Sequence, residues 1–181
     1  MRAIGLVEFT SIAKGIEAAD AMLKAATIEL LDAKPICPGK YIVLICGDVS
    51  AVENSVRAGK NIAEGCVVDD FVIPNVHPGV IKAISCATII DELQALGIIE
   101  SFAIASLIVS ADAAVKTGEV DLIEIRLGMG IGGKSFVTLT GDVGAVKSAI
   151  NAGSEACQRN GMLVETVVIP SPHKELKSSI L

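Results

Sequence analysis

The chain has 181 residues, 51% of them apolar, and a net charge of −6. That balance excludes a nucleic-acid partner, which needs a basic face for phosphates, and the 3% aromatic content leaves no platform for stacking bases. Five cysteines, an odd number without framework spacing, read as reduced thiols rather than disulfides.

No membrane partner is expected either. Glu8 interrupts the first apolar run, so no signal peptide is expected. The apolar stretch from Phe102 to Val115 falls short of the roughly 20 residues a spanning helix needs. The expected location is the cytoplasm. A mean hydropathy of +0.61 is high for a soluble chain of this size and points to surface buried by assembly.

In chain order, Ile4 to Phe9 reads as a buried strand. Thr10 or Ser11 offers an N-cap, and Ile12, Ile16, Ala19, Leu23 and Ala26 recur at helical spacing as the expected apolar face. Ile28 to Ala33 alternates as a second strand, and Tyr41 to Cys46, rich in β-branched residues, forms a third. Asp48 is placed to cap a helix with Val49, Val52, Val56 and Ile62 on its apolar face. Val67 to Ile73 is a fourth strand, stopped by Pro74. The order βαββαβ is an α+β, ferredoxin-like arrangement, with helices expected on one sheet face and the other face uncovered.

The chain then repeats itself. Ala3-Ile4-Gly5-Leu6-Val7-Glu8 returns as Leu96-Gly97-Ile98-Ile99-Glu100, and Ala19, Asp20 and Lys24 as Ala111, Asp112 and Lys116, all 92 residues later. Gly47-Asp48-Val49 returns as Gly141-Asp142-Val143 after 94 residues. Val72-Ile73-Pro74 with His77 returns as Val168-Ile169-Pro170 with His173 after 96. Two tandem domains are expected, 1–91 and 92–181, joined near Cys86 to Gln94. Each is marginal alone, and cyclic homo-oligomers would bury the apolar excess; a trimer would give six similar wedges about one axis.

Two loops carry candidate chemistry. Gly128-Met129-Gly130-Ile131-Gly132-Gly133-Lys134-Ser135 matches the phosphate-loop pattern G-x-x-x-x-G-K-[ST]. A phosphate loop must open a helix, whereas Phe136 to Thr140 are strand formers and the next helix starts only at Asp142. A glycine-rich hairpin turn is the better reading. The equivalent loop in the first repeat is Ala33-Lys34-Pro35-Ile36-Cys37-Pro38-Gly39-Lys40. Its cysteine sits between two prolines in a stiff turn, with Lys34 and Lys40 placed to favour the thiolate. Either Cys37 is an idle loop thiol or it is a metal ligand; the chain lacks the four-cysteine spacing of a self-contained iron–sulfur site.

The remaining candidates read as structural. Cys46, Cys66, Cys86 and Cys157 lie at strand ends, element edges or on a helix, as small hydrophobes. His77 and His173 follow a proline in each repeat with no ligand-forming neighbour, which favours corner packing or subunit contact over catalysis. Glu8 and Glu100 read as fold residues rather than an acid–base pair, and Lys24 and Lys116 as solvated or edge lysines.

The segments Ala3 to Glu8, Asp20 to Ala26, Gly47-Asp48-Val49 and Val72-Ile73-Pro74 resemble the bacterial microcompartment shell-protein domain, over essentially all of both repeats. Two such domains in one chain resemble the tandem-domain trimeric class. The stretch Ile36-Cys37-Pro38-Gly39-Lys40 is similar to its iron–sulfur members from propanediol-utilisation shells. The resemblance implies a non-enzymatic shell protein forming a flat pseudohexameric homotrimer that tiles beside hexameric shell proteins. It implies a central pore lined by Ile36, Cys37, Pro38 and Gly39, alternating with Gly130, Ile131 and Gly132. Three copies of Cys37 would bind one [4Fe–4S] cluster per trimer, for electron transfer or cluster exchange, with a lumenal redox enzyme as a further partner. Lys24, Lys116, Asn75, His77, Ser171 and His173 would face neighbouring tiles; Asn75 and Ser171 stand where many members carry arginine. The alternatives are a metal-free metabolite pore, and a tandem ferredoxin-like module binding a small ligand.

Overall fold

A computed structural model describes residues 3–90, 92–176 and 180 of the chain. Its elements run β1 (Ala3–Phe9), α1 (Ile12–Ala25), β2 (Glu29–Ile36), β3 (Lys40–Gly47), α2 (Val49–Ile62), β4 (Val67–Ile73) and α3 (Pro78–Ile84). The second repeat follows as β5 (Ala95–Ser101), α4 (Ile104–Thr117), β6 (Val120–Arg126), β7 (Ser135–Gly141), α5 (Val143–Arg159), β8 (Leu163–Ile169) and a 3₁₀ turn, Lys174–Leu176. The sheets are ordered β2-β3-β1-β4 and β6-β7-β5-β8, antiparallel throughout. That is the ferredoxin-like order expected from βαββαβ. The repeat extends to irregularities: the register shift at Glu8/Phe9 recurs at Glu100/Ser101, and that between Leu30 and Asp32 recurs between Leu122 and Glu124.

The chain divides into two compact units. The first comprises Met1–Val76 together with the short stretches Ala103–Ala105 and Gly128–Gly133; the second comprises the remainder. In the first unit, β1 carries Ala3, Val7 and Phe9 into a core with Ala18, Met22, Val43, Ile45, Val52 and Val56. In the second, α5 packs against β5 and β8.

Three expectations are corrected. The apolar stripe of α1 is not its buried face: Gly15, Ala18, Ala19 and Met22 are buried, while Ile12, Ile16 and Leu23 are exposed. Small residues let α1 lie close on β3; a Cβ on Gly15 would stand 2.6 Å from the Tyr41 ring. On α2, Val52 and Val56 are buried with Ser55 and Gly59, but Val49 and Ile62 are exposed. Nor is one sheet face left open at the centre. Every residue of β1, and Tyr41 to Cys46 of β3, is buried, so successive side chains on both faces are covered.

A short helix beyond the expected elements, α3, follows β4. His77 is its N-cap, with Nδ1 accepting the Gly79 N–H at 3.2 Å and Pro78 in the first turn, a position proline suits because its missing N–H would be unpaired there anyway. The helix packs against β6.

Candidate functional site

The Cys37 loop is the turn of the β2–β3 hairpin. Gly39, at φ +93°, donates its N–H to the Ile36 carbonyl at 2.9 Å, closing the turn. A left-handed φ there is why glycine occupies the position. The Cys37–Pro38 peptide bond is cis. Ile36 is buried and anchors the strand end, whereas Cys37 is half-buried at the tip.

Within the first unit this turn meets the glycine-rich loop of the second repeat. The Cys37 N–H donates to the Gly128 carbonyl at 3.1 Å. A Cβ on Gly133 would lie 2.6 Å from Pro38 Cδ and 2.9 Å from the Cys37 carbonyl oxygen, so only glycine fits. Gly130 and Gly132 differ: a Cβ there meets nothing within 4 Å. The two loops of the expected pore lining, including Ile131, are thus neighbours, and the space over Gly130 and Gly132 is open. The phosphate-loop resemblance ends here, because residues 128–133 lead into strand β7 and α5 starts only at Val143.

The electrostatics differ from the sequence expectation. Lys40 pairs with the buried Glu8, and Lys34 with Asp32 at 2.6 Å. Neither lysine is a free cation beside the thiol. Glu8 does structural work: one oxygen holds Lys40 and Oε2 accepts the Ile104 N–H at 3.0 Å. The reading of Glu8 as a fold residue agrees with this.

Among the described residues, no three His, Cys, Asp or Glu side chains of the chain converge on a point that could hold a metal ion. Cys46 and Cys157 are buried, with Cys157 Sγ 2.9 Å from Ser110 Oγ. Cys86 departs from the structural reading: it is exposed, at φ +51°, just beyond α3. Among the described residues, a single chain therefore holds no complete ligand set for an iron–sulfur group around Cys37. Its soft thiolate suits such a cluster, and the open glycine loop beside it suits the cluster's bulk.

The edge candidates form a second group. Lys116 Nζ pairs with Asp112 Oδ2 at 2.5 Å, and Asp112 Oδ1 accepts the His77 N–H at 2.8 Å. His77 and Lys116 line a cleft of about 660 Å³ whose walls include Glu119, Asp121 and Asp142. Asp112 was visible in the sequence only as a repeat residue; its role as a double acceptor was not. Lys24 pairs with Asp20 at 2.5 Å on the exposed face of α1. Asn75, Ser171 and His173 are exposed, and His173 Nδ1 accepts the Glu175 N–H at 3.3 Å.

Two antiparallel βαββαβ units with paired hairpin loops define a tandem shell-protein architecture. The chain belongs to the bacterial microcompartment shell proteins: the BMC domain model matches it twice, over residues 3–76 and 95–172. It is 45% identical over 175 residues to the bacterial microcompartment shell protein PduT of Citrobacter freundii, covering 97% of this chain and 95% of that protein. The shell protein EutM of Salmonella typhimurium is 42% identical over 86 residues, 47% of this chain and 86% of EutM. The crystal structure of a microcompartment protein from Desulfitobacterium hafniense superposes with a TM-score of 0.90 at 67% identity, covering 98% of this chain and 99% of that one. The chain is a structural component of a microcompartment shell and not an enzyme. None of its helices, among the described residues, is long and apolar enough to cross a membrane.

Proposed function

We propose that three copies of this chain close into a ring whose axis gathers three Cys37 thiolates around one [4Fe–4S] cluster. The observation that carries the reading is the position of Cys37: half-buried at a hairpin tip, tied by its N–H to Gly128, beside a glycine loop with open space. One cysteine per chain becomes three ligands only through symmetry.

When bound, the cluster supplies a one-electron carrier in the shell, serving a lumenal redox enzyme or the exchange of clusters across the shell. The chain's own residues do the positioning. Ile36 anchors the hairpin, Gly39 turns it, and Gly128 and Gly133 brace the cysteine from the other loop. With three protein ligands the fourth iron is left to water or an exogenous ligand. Tiling with hexameric shell proteins would use the edges bearing Lys24 and Lys116.

Anaerobic purification of the full chain, after supply of iron and sulfide, tests the reading. Cluster absorbance and an EPR signal after reduction are expected in the wild type and lost in Cys37→Ala. A wild type without either signal, or a signal that survives Cys37→Ala, overturns it. A second reading, a metal-free metabolite pore, draws on the absence of any three converging ligands among the described residues of one chain. The same spectra separate the two.

A further inference from the structure

We infer that the backbone N–H groups of the glycine loop, Met129 to Gly133, donate hydrogen bonds to the sulfurs of the cluster and so set its reduction potential. This rests on the cluster reading above and names the groups that balance the cluster's charge.

A cluster held by three thiolates is anionic and gains a further negative charge on reduction, so its surroundings must supply cations or hydrogen-bond donors. The sources nearest Cys37 are already committed. Lys40 is paired with Glu8, and Lys34 with Asp32. The Cys37 N–H donates to the Gly128 carbonyl, Pro38 has no N–H, and the Gly39 N–H donates to the Ile36 carbonyl. The cysteine's own turn, residues 37–39, therefore has no backbone donor left.

The neighbouring loop is the reverse case. Among the described residues, no backbone N–H from Met129 to Gly133 makes a hydrogen bond of normal geometry. Its backbone alternates: Gly128 at φ +67°, Gly130 at +74° and Gly132 at +66° are left-handed, while Met129 and Ile131 between them are not. Such alternation turns successive N–H groups toward one side and makes a concave nest, a device that holds phosphates and iron–sulfur groups. The G-x-x-x-x-G-K-[ST] pattern thereby acquires a meaning without a helix. The loop has the donor backbone of a phosphate loop but leads into β7.

The loop also lies against the cysteine at both of its ends. Gly128 takes the Cys37 N–H, and a Cβ on Gly133 would stand 2.9 Å from the Cys37 carbonyl oxygen. Between those ends Gly130 and Gly132 are exposed, and a Cβ on either meets nothing within 4 Å, which leaves room for a bulky anion. Donors placed there favour the reduced, more negative form of the cluster and raise its potential.

The test uses the full chain, uniformly 15N-labelled and supplied with iron and sulfide, as wild type, Gly130→Val/Gly132→Val and Gly130→Asn/Gly132→Asn. Valine has space at both positions but rejects a left-handed φ, whereas asparagine accepts one. Pulsed EPR of the dithionite-reduced cluster is expected to show coupling to amide 15N in the wild type and the asparagine pair, and to lose most of it in the valine pair. In a redox titration the valine pair should show a reduced-to-oxidised ratio about tenfold lower at a fixed potential, about 59 mV for one electron, with the asparagine pair within about twofold of wild type. If the valine pair holds no cluster, the single valine variants carry the decision. A Cys37-dependent cluster that shows no 15N coupling in the wild type, or whose coupling and potential are the same in the valine pair, overturns the donor role while the cluster stands. Equal losses in the asparagine and valine pairs overturn it too, because added bulk and not the N–H groups would then be responsible. A wild type without a cluster overturns the cluster reading and this inference with it.

Discussion

The backbone N–H of Cys37 donates to the carbonyl of Gly128 at 3.1 Å, joining a hairpin turn of the first repeat to the glycine loop of the second. The joint is backbone to backbone, so its position depends on how closely the two loops approach. Gly133 sets that approach. Its φ of +81° already disfavours a side chain, and a Cβ would enter the space of Pro38 and the Cys37 carbonyl. Gly133→Ala is expected to cost about 2–4 kcal/mol, against about 1 kcal/mol for Gly130→Ala, which shares the positive φ but faces open space. Thermal unfolding measures both. Peptide-resolved alkylation should show a changed Cys37 rate in Gly133→Ala alone.

Glu8 is wholly buried and bonded to Lys40 and to the start of α4. Glu8→Ala leaves Lys40, itself mostly buried, without its counter-charge. A loss of about 3–5 kcal/mol is expected in urea unfolding. The double variant Glu8→Leu/Lys40→Met should recover a large part of it, because an apolar pair carries no desolvation penalty.

Ile16 and Ile108 make a matched pair for separating folding from assembly. In dilute, dissociated protein, Ile108→Ala should cost about 2–5 kcal/mol because it empties a fully buried site. Ile16→Ala should change unfolding by no more than about 0.5 kcal/mol there, as an exposed position does. Equal losses at the two positions would show that α1 is covered within the single chain.

Asp112 holds Lys116 with one oxygen and the His77 N–H with the other. Asp112→Ala should speed hydrogen exchange at the His77 amide and lower stability by about 1–3 kcal/mol, since a half-buried N–H loses its acceptor. Exchange at Gly39, whose N–H bonds within its own turn, should not change.

Much of this architecture was legible in the residues. Strands 4–9, 41–46 and 67–73 lie within a residue or so of β1, β3 and β4, because alternation and β-branching are local signals. Strand formers after Lys134 separated a hairpin from a phosphate loop, and β7 begins at Ser135. The short helix α3 was missed although His77-Pro78 is a usable start signal: a seven-residue helix has too few turns to display a period.

What the sequence determined by itself is therefore the repeat, the order of the elements other than α3, the sheet topology and the single cysteine at a hairpin turn. These follow from spacing along the chain, which propensity and periodicity read directly. Tertiary structure decided the partners. It assigned Lys40 to Glu8 and Lys34 to Asp32 rather than to the thiol. It left Cys86 exposed, and it turned α1 so that Gly15, Ala18 and Met22 face the core while Ile12 and Ile16 face out. Periodicity identifies an apolar stripe but carries no information on what covers it. For α1 nothing among the described residues of the single chain does, and that is why the same isoleucines are buried in one repeat and exposed in the other.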